Sequence, residues 1–368
     1  MLRGSLAKRG YMRWWHSFSG VQADTGEART FFVEFFVINP ALGGNHPILG
    51  RHPYYRKRGI KPSYVMVKAG VFPDADGQGG KQLHAFYPIS SLKATKSPLV
   101  MQVEDCFYSE ERLSGYVEVL PDEARRRSFM SDAGYMEWDL KVHKAVACHT
   151  GFLANPLFQV LSALDSYWHG EGIRSFFNGT VILDGVEYQV SADNSCGYAD
   201  KHWGRSFNNP WMQFACGRFT SKHTGKTLRH TVLAVNGCCP RFLFFPLRRR
   251  LMIQLTYTGE DFEFGLHHQF LLSRCKWETK ENGKRFIWHI KARNRTALIK
   301  ISGSCTKAQL MNLQYENPDS SIPKVPLWAG GAGIGTVEIY RRIPGGRELL
   351  DTLRMEDAFC AYRADTSE

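Results

Sequence analysis

Thr180 to Val190 reads TVILDGVEYQV, two short runs rich in β-branched and aromatic residues around Asp184-Gly185. Asp-Gly is favoured in two-residue hairpin loops because both central positions take a positive φ. Thr180–Leu183 and Glu187–Val190 are therefore read as antiparallel strands joined by a tight turn. The same grammar recurs along the chain. Thr30–Ile38 (TFFVEFFVI), Ser63–Ala69, Met136–Val142, Thr256–Phe264, Arg285–Ala292 and Gly335–Arg341 are apolar, β-prone runs set off by Gly, Asn and Asp. The connections are too short for repeated βαβ crossovers, which excludes a parallel sheet wrapped in helices. The expected fold is mostly β, as antiparallel sandwiches or barrels. A barrel of this kind leaves an interior that side chains or a ligand must fill.

One segment breaks the rhythm. In Pro156–Trp168 (PLFQVLSALDSYW), Leu157, Leu161, Leu164 and Trp168 share one helical face, with Pro near the first turn. The pattern predicts a connecting helix and places a domain boundary beside it, giving β domains over 1–160 and 161–368. A second short helix is expected at Thr306–Leu313.

The chain has 368 residues, 43% hydrophobic and 13% aromatic, enough to bury two cores. No apolar run approaches the ~20 residues of a membrane-spanning helix. Met1–Tyr11 lacks the apolar stretch of a secretory signal. Nine cysteines at irregular positions form no CxxC or Cys/His ligand spacing, so neither zinc nor a disulfide framework is expected. Reduced thiols in a cytoplasm are the simplest reading.

The net charge is +12, and Arg56-Lys57-Arg58, Arg125-Arg126-Arg127 and Arg248-Arg249-Arg250 are its short clusters. None sits in a nucleic-acid-binding motif, so nucleic acid is not an expected partner. The clusters are read first as solvated loop faces, then as peripheral contacts with an anionic membrane surface or substrate. Gly331-Ala332-Gly333-Ile334-Gly335 has the wrong spacing for a phosphate loop and precedes a β run. No nicotinamide, flavin or metal cofactor is expected.

The chemistry concentrates in Gly197–Gly217, GYADKHWGRSFNNPWMQFACG. Asp200, Lys201 and His202 stand between Tyr198 and Trp203, and Gly204 allows a sharp turn before Phe207 and Trp211. Read structurally, the triplet is a solvent-facing turn whose surface ion pair is worth little. Read chemically, the flanking aromatics desolvate it and shift its proton affinities.

This segment resembles the tocopherol cyclase family, whose motif runs Tyr-x-Glu-Lys-Asn-Trp-Gly, then Phe, then Trp. Tyr198, Lys201, Trp203, Gly204, Phe207 and Trp211 match; Asp200 replaces Glu and His202 replaces Asn. Arg13-Trp14-Trp15-His16-Ser17-Phe18 is similar to the family's early aromatic segment, with Trp15 on Trp and His16 on Tyr. Phe31, Val37, Asn39, Pro40 and Ala41 are similar to its next strand. Trp168, Gly172, Gly179 and Gly185 fall where the family has Trp and Gly, and Tyr257–Phe264 and Gly335–Tyr340 resemble later strands.

The resemblance implies two lipocalin-like β domains, related to carotenoid 1,2-hydratases, around a prenyl, polyene or lipid-like substrate. It implies a cofactor-independent cyclase or hydratase that protonates an alkene. Such chemistry needs a proton donor in a dry, aromatic-lined site. Asp200 occupies the family's acidic position, Lys201 lies beside it, and His202 is a candidate relay. On a regular strand Asp200 and Lys201 point to opposite faces. His16 stands where the family has an aromatic hydroxyl. Glu34 shares a face with Phe32, Phe36 and Ile38, either as a protonated acid or as a carboxylate paired with Arg or Lys across the sheet. The expected substrate-binding residues are Trp15, Tyr198, Trp203, Phe207, Trp211 and Trp168. A non-catalytic lipid or pigment carrier and a catalyst of pericyclic cyclisation are the rival readings.

Overall fold

The computed structural model describes residues 2–148, 164–193, 197–206, 211–239, 241–242, 245–246, 249–265, 273–320 and 327–363. These form two antiparallel sheets of twelve and eleven strands and a two-stranded hairpin. The hairpin expected at Asp184-Gly185 is present: Ser166–Leu183 pairs with Val186–Val190, and Asp184 and Gly185 both have positive φ, 48° and 85°. Thr256–Phe264 is not one strand but the turn of a second hairpin. Arg250–Tyr257 meets Glu260–Phe264 across Thr258-Gly259, again at positive φ.

The helix expected at Thr306–Leu313 does not form, and most of the one expected at Pro156–Trp168 falls outside the described residues. Ser166–Trp168 opens a strand whose residues alternate inward and outward, while 156–163 lie outside the described residues. The apolar residues of this segment fit a helical spacing, but Tyr167 and Trp168 pair with Trp203 and His202 of the neighbouring strand. Likewise Lys307–Gln309 is a single 3-10 turn and Met311–Leu313 a short strand.

The expected boundary at 160 falls outside the described residues. All strands from Tyr11 to Gly204 belong to the first sheet, and the second begins at Trp211. The 166–204 strands, expected in the C-terminal domain, complete the N-terminal sheet. Gly197–Gly204 is inserted between Tyr11–Gln22 and Ser166–Leu183 and pairs with both.

Each sheet wraps its own apolar core. Phe18, Phe35, Tyr108 and Trp138 pack inside the first, and Phe214, Trp288, Ile301 and Leu353 inside the second. A third cluster lies between the sheets and draws on both, with Tyr11, Trp15, Phe36, Trp168 and Tyr198 from one and Trp211, Ala234 and Phe359 from the other. Strand alternation produces this arrangement: along Tyr11–Gln22, Trp14 and Phe18 face the first core while Tyr11 and Trp15 face the second sheet.

Gly204 ends its strand with no room for a side chain: a Cβ there would lie 2.2 Å from the Asp165 carbonyl oxygen and 2.6 Å from the Ser166 Cα. Both obstacles are backbone, so Gly204→Ala should destabilise the fold by about 1–3 kcal/mol, read as a lower urea midpoint at unchanged m. A wild-type midpoint would mean that the two strands separate without cost.

Candidate functional site

The site grows from the strand ladder. Continuous pairing sets Arg13 opposite His202 and Phe36, Trp15 opposite Asp200 and Glu34, and Glu34 opposite Lys68. Directly paired residues share a face. Four charged side chains therefore stand on the surface that the first sheet turns toward the second. Arg13, Glu34, Lys68 and Asp200 are all buried.

Asp200 is the most heavily bonded. Its Oδ2 accepts from Trp168 Nε1 at 2.9 Å, Tyr198 Oη at 2.8 Å and Gln213 Nε2 at 2.6 Å. Gln213 also donates to the Tyr198 hydroxyl, which gives a directed chain from Gln213 through Tyr198 to Asp200. Arg13 Nη2 lies 3.7 Å from the same Oδ2. The other carboxyl oxygen, Oδ1, is buried and makes no hydrogen bond among the described residues.

Glu34 forms the second half. Its Oε2 accepts from the Tyr315 hydroxyl at 2.8 Å and lies 3.5 Å from Lys68 Nζ, while Oε1 is 3.9 Å from Arg13 Nη1. Of the two readings of Glu34, this geometry is the cross-sheet ion pair. Arg13 also donates to Tyr315 Oη at 3.3 Å, and the Lys68 ammonium lies 3.6 Å from the centre of the Tyr315 ring. Tyr315 reaches this cluster from the chain segment that follows Leu313.

Burial governs the proton affinities. It pushes the Lys68 ammonium down to about 8, although Glu34 partly opposes it. Burial also disfavours the Arg13 cation, but Asp200, Tyr315 and Glu34 outweigh it and raise Arg13 above its ordinary value. His202 is held neutral by burial and by the Arg13 charge, with its Nδ1 2.7 Å from the Tyr11 hydroxyl. Burial, then Asp200, raises the Tyr198 phenol well above its ordinary value.

Aromatic rings wall the cluster. Trp15 stacks on Phe32 at 5.0 Å, Tyr198 on Phe359 at 5.0 Å, and His202 lies 6.0 Å from Trp211. A cavity of about 30 Å³ borders Tyr198, Phe359, Ile173 and Ala215, roughly the space of one water. Among the described residues, no group of three or more His, Cys, Asp or Glu side chains could hold a metal ion.

The sheet interface brings together Asp200, His202, Glu34, Trp15, Tyr198, Trp211 and Trp168. It does not bring in Lys201, Trp203 or His16. The Lys201 ammonium lies against the rings of Trp14 and Trp203, at 4.8 and 5.5 Å, on the opposite face. His16 also faces away, its ring centre 4.5 Å from that of Tyr108, and burial lowers its pKa to about 3. The cause is strand alternation, because the register from Tyr198 to Gly204 against Tyr11–Ser17 runs without a bulge. Phe207 lies outside the described residues.

Arg13, Lys68, Gln213 and Tyr315 were not among the residues picked out in sequence. Arg13 and Lys68 carried a usable signal, since each shares strand parity with interface residues, Tyr11 and Trp15 in one case and Met66 in the other. Tyr315 carried none, because it follows a three-residue strand and reaches Glu34 over 281 positions.

A family model described as tocopherol cyclase-like matches residues 136–321. The chain belongs to the tocopherol cyclase-like family. The matched span carries Trp168, Tyr198, Asp200, His202, Gln213 and Tyr315, whereas Arg13, Glu34 and Lys68 precede it. Two solved structures are similar to this tocopherol cyclase-like chain. One is described as a candidate AttH of Nitrosomonas europaea, at 10% identity and a TM-score of 0.43, covering 94% of this chain and 92% of its own. The other is kievitone hydratase from Nectria haematococca, at 9% identity and a TM-score of 0.42, covering 96% and 89%. Comparison with curated proteins finds no sequence match.

Proposed function

We propose that this chain is a cofactor-independent cyclase or hydratase acting on an isoprenoid or similarly apolar alkene held between the two sheets. The observation that carries the reading is Asp200: one carboxyl oxygen fixed by Trp168, Tyr198 and Gln213, the other buried without a hydrogen bond among the described residues, on a residue paired across the sheet with Trp15.

For reaction the Asp200 carboxylate takes up a proton at Oδ1, which has no hydrogen-bond partner among the described residues, and an alkene carbon placed against it is the group able to take that proton. Transfer forms a C–H bond and leaves a tertiary carbocation, whose charge the surrounding π faces stabilise. A phenol oxygen on the same substrate then closes a ring, or a water adds, forming a C–O bond and releasing a proton. The Asp200 carboxylate takes that proton back and completes the cycle. Cyclisation leaves the substrate's mass unchanged, whereas hydration adds one water.

A prenyl-sized substrate needs a pocket of roughly 300 Å³ or more, so its entry must part the sheets around the small cavity beside Tyr198.

The test begins with native mass spectrometry of the purified protein to find an apolar ligand, followed by assays on prenylated phenols and polyenes. General acid catalysis typically contributes ~10²–10⁴-fold, so Asp200→Asn should lower turnover by that order. Asn can present its oxygen to the three Oδ2 donors and its amide at Oδ1, so ligand affinity should persist. Tyr198→Phe removes one hydroxyl and no charge, and should lower turnover with little loss of stability. A protein that retains ligand but turns over none of these substrates is a carrier, and the catalytic reading fails. Unchanged turnover in Asp200→Asn moves the proton donor elsewhere.

A further inference from the structure

The loop between Ile38 and Tyr64 closes one end of the sheet interface, and its surface chemistry differs from the rest of the molecule. No Asp or Glu occurs between Glu34 and Asp74, while Arg56, Lys57 and Arg58 stand together and exposed. Ten large apolar side chains are exposed among the described residues, and three of them lie here: Leu42 at 39%, Tyr54 at 52% and Ile60 at 36%. Single exposed apolar residues need no explanation. Three in one loop, interleaved with uncompensated bases, do.

The loop is also held in place. Asn39, at a left-handed φ of 43°, donates through Nδ2 to the carbonyls of Pro62 and Pro318, both at 2.8 Å. Ser63 Oγ donates to the Asn39 carbonyl, and Glu316 accepts from the Gly50 backbone at 3.1 Å. Leu49 tucks into the cluster between the sheets. The Arg58 guanidinium covers the Tyr54 ring at 3.8 Å and donates to the Tyr54 carbonyl. With its base fixed in this way, the loop cannot fold its apolar tips back into the core.

We infer that this loop docks the protein on an anionic lipid bilayer, Leu42, Tyr54 and Ile60 entering the headgroup region and Arg56 and Lys57 meeting lipid phosphates and carboxylates. Exposed apolar side chains set among bases match the amphipathic headgroup zone. A nucleic acid would use the bases and stack on Tyr54, but it offers nothing to Leu42 and Ile60. Because Leu49 and Glu316 join the loop to the sheet interface, docking turns the end of that interface toward the membrane. The inference concerns surface chemistry and stands whether or not Asp200 is catalytic.

The experiment is co-sedimentation of the full chain with phosphatidylcholine vesicles, with and without phosphatidylserine, at near-physiological ionic strength. Binding should appear only with phosphatidylserine and weaken as salt rises. Each base near an anionic surface is worth about fivefold in partitioning, so Arg56→Glu with Lys57→Glu should cost about 25-fold or more. Tyr54→Ser with Ile60→Ser should weaken binding about tenfold. All four side chains are outside the cores, so melting temperatures should stay at the wild-type value and certify folding. Equal binding to both vesicles, no binding, or wild-type binding by both double variants would overturn the inference. So would a single-stranded RNA that outcompetes the vesicles and is released by the same substitutions.

Discussion

Acidification from pH 6.5 toward pH 4 should unfold this protein. His16, His84 and His202 are fully buried, and burial in each case lowers the pKa, to about 3 for His16 and well below the ordinary value for the other two. Positive neighbours add to the effect, Lys144 for His16, Lys68 for His84 and Arg13 for His202. In the unfolded chain each imidazole titrates near 6.5. Below that pH the unfolded state binds protons that the folded state refuses, so stability falls as pH falls.

Each histidine contributes about 1.4 kcal/mol per pH unit, and the three together about 4, against a typical total of roughly 5–15 kcal/mol. Glu316 opposes this modestly. Burial raises its carboxyl to about 6, so the folded state binds that proton first and gains stability as pH falls from about 6 to the ordinary carboxylate value. Urea titrations at pH 7, 6 and 5 should show a steeply falling midpoint at constant m. His16→Leu should flatten the slope by about a third. A midpoint that does not change between pH 7 and pH 5 would contradict the buried-neutral assignment.

Arg13→Met should cost about 3–5 kcal/mol, because it leaves two buried carboxylates facing one lysine. Arg13 lies within 4 Å of both Asp200 and Glu34, and both carboxylates are fully buried. The penalty is the desolvated negative charge left uncompensated rather than the strength of the lost pair. The triple variant Arg13→Met, Glu34→Gln, Asp200→Asn should therefore recover much of the loss. Arg112 and Asp139 form the contrasting pair, with side chains 57% and 62% exposed, and Arg112→Ala should cost less than about 1 kcal/mol. Equal losses at Arg13 and Arg112, by denaturant midpoint, would mean that water reaches the sheet interface.

Strand existence was legible because alternation and Asp-Gly turns are local properties. Thr30–Ile38 and Thr180–Val190 needed no distant partner to declare themselves. At Ser166–Trp168 the complementary reason applies. Leu157, Leu161, Leu164 and Trp168 fit a helical face, but pairing with His202, Trp203 and Gly204 makes Ser166–Trp168 a strand, and no local pattern encodes such a partner.

In the candidate site, the sequence by itself determined which residues of Tyr198–Gly204 share a face, since a two-residue period separates Asp200 and His202 from Lys201 and Trp203. It placed Glu34 on an apolar face by the same period. Only the tertiary structure decided what those faces meet. Asp200 finds Gln213 across the change of sheet, and Glu34 finds Lys68 in the neighbouring strand and Tyr315 nearly three hundred residues away. Alternation fixes the direction of a side chain because it is set by the covalent backbone. Partners come from the packing of one sheet on another, where burial makes pairing of charges obligatory and the order of residues along the chain no longer matters.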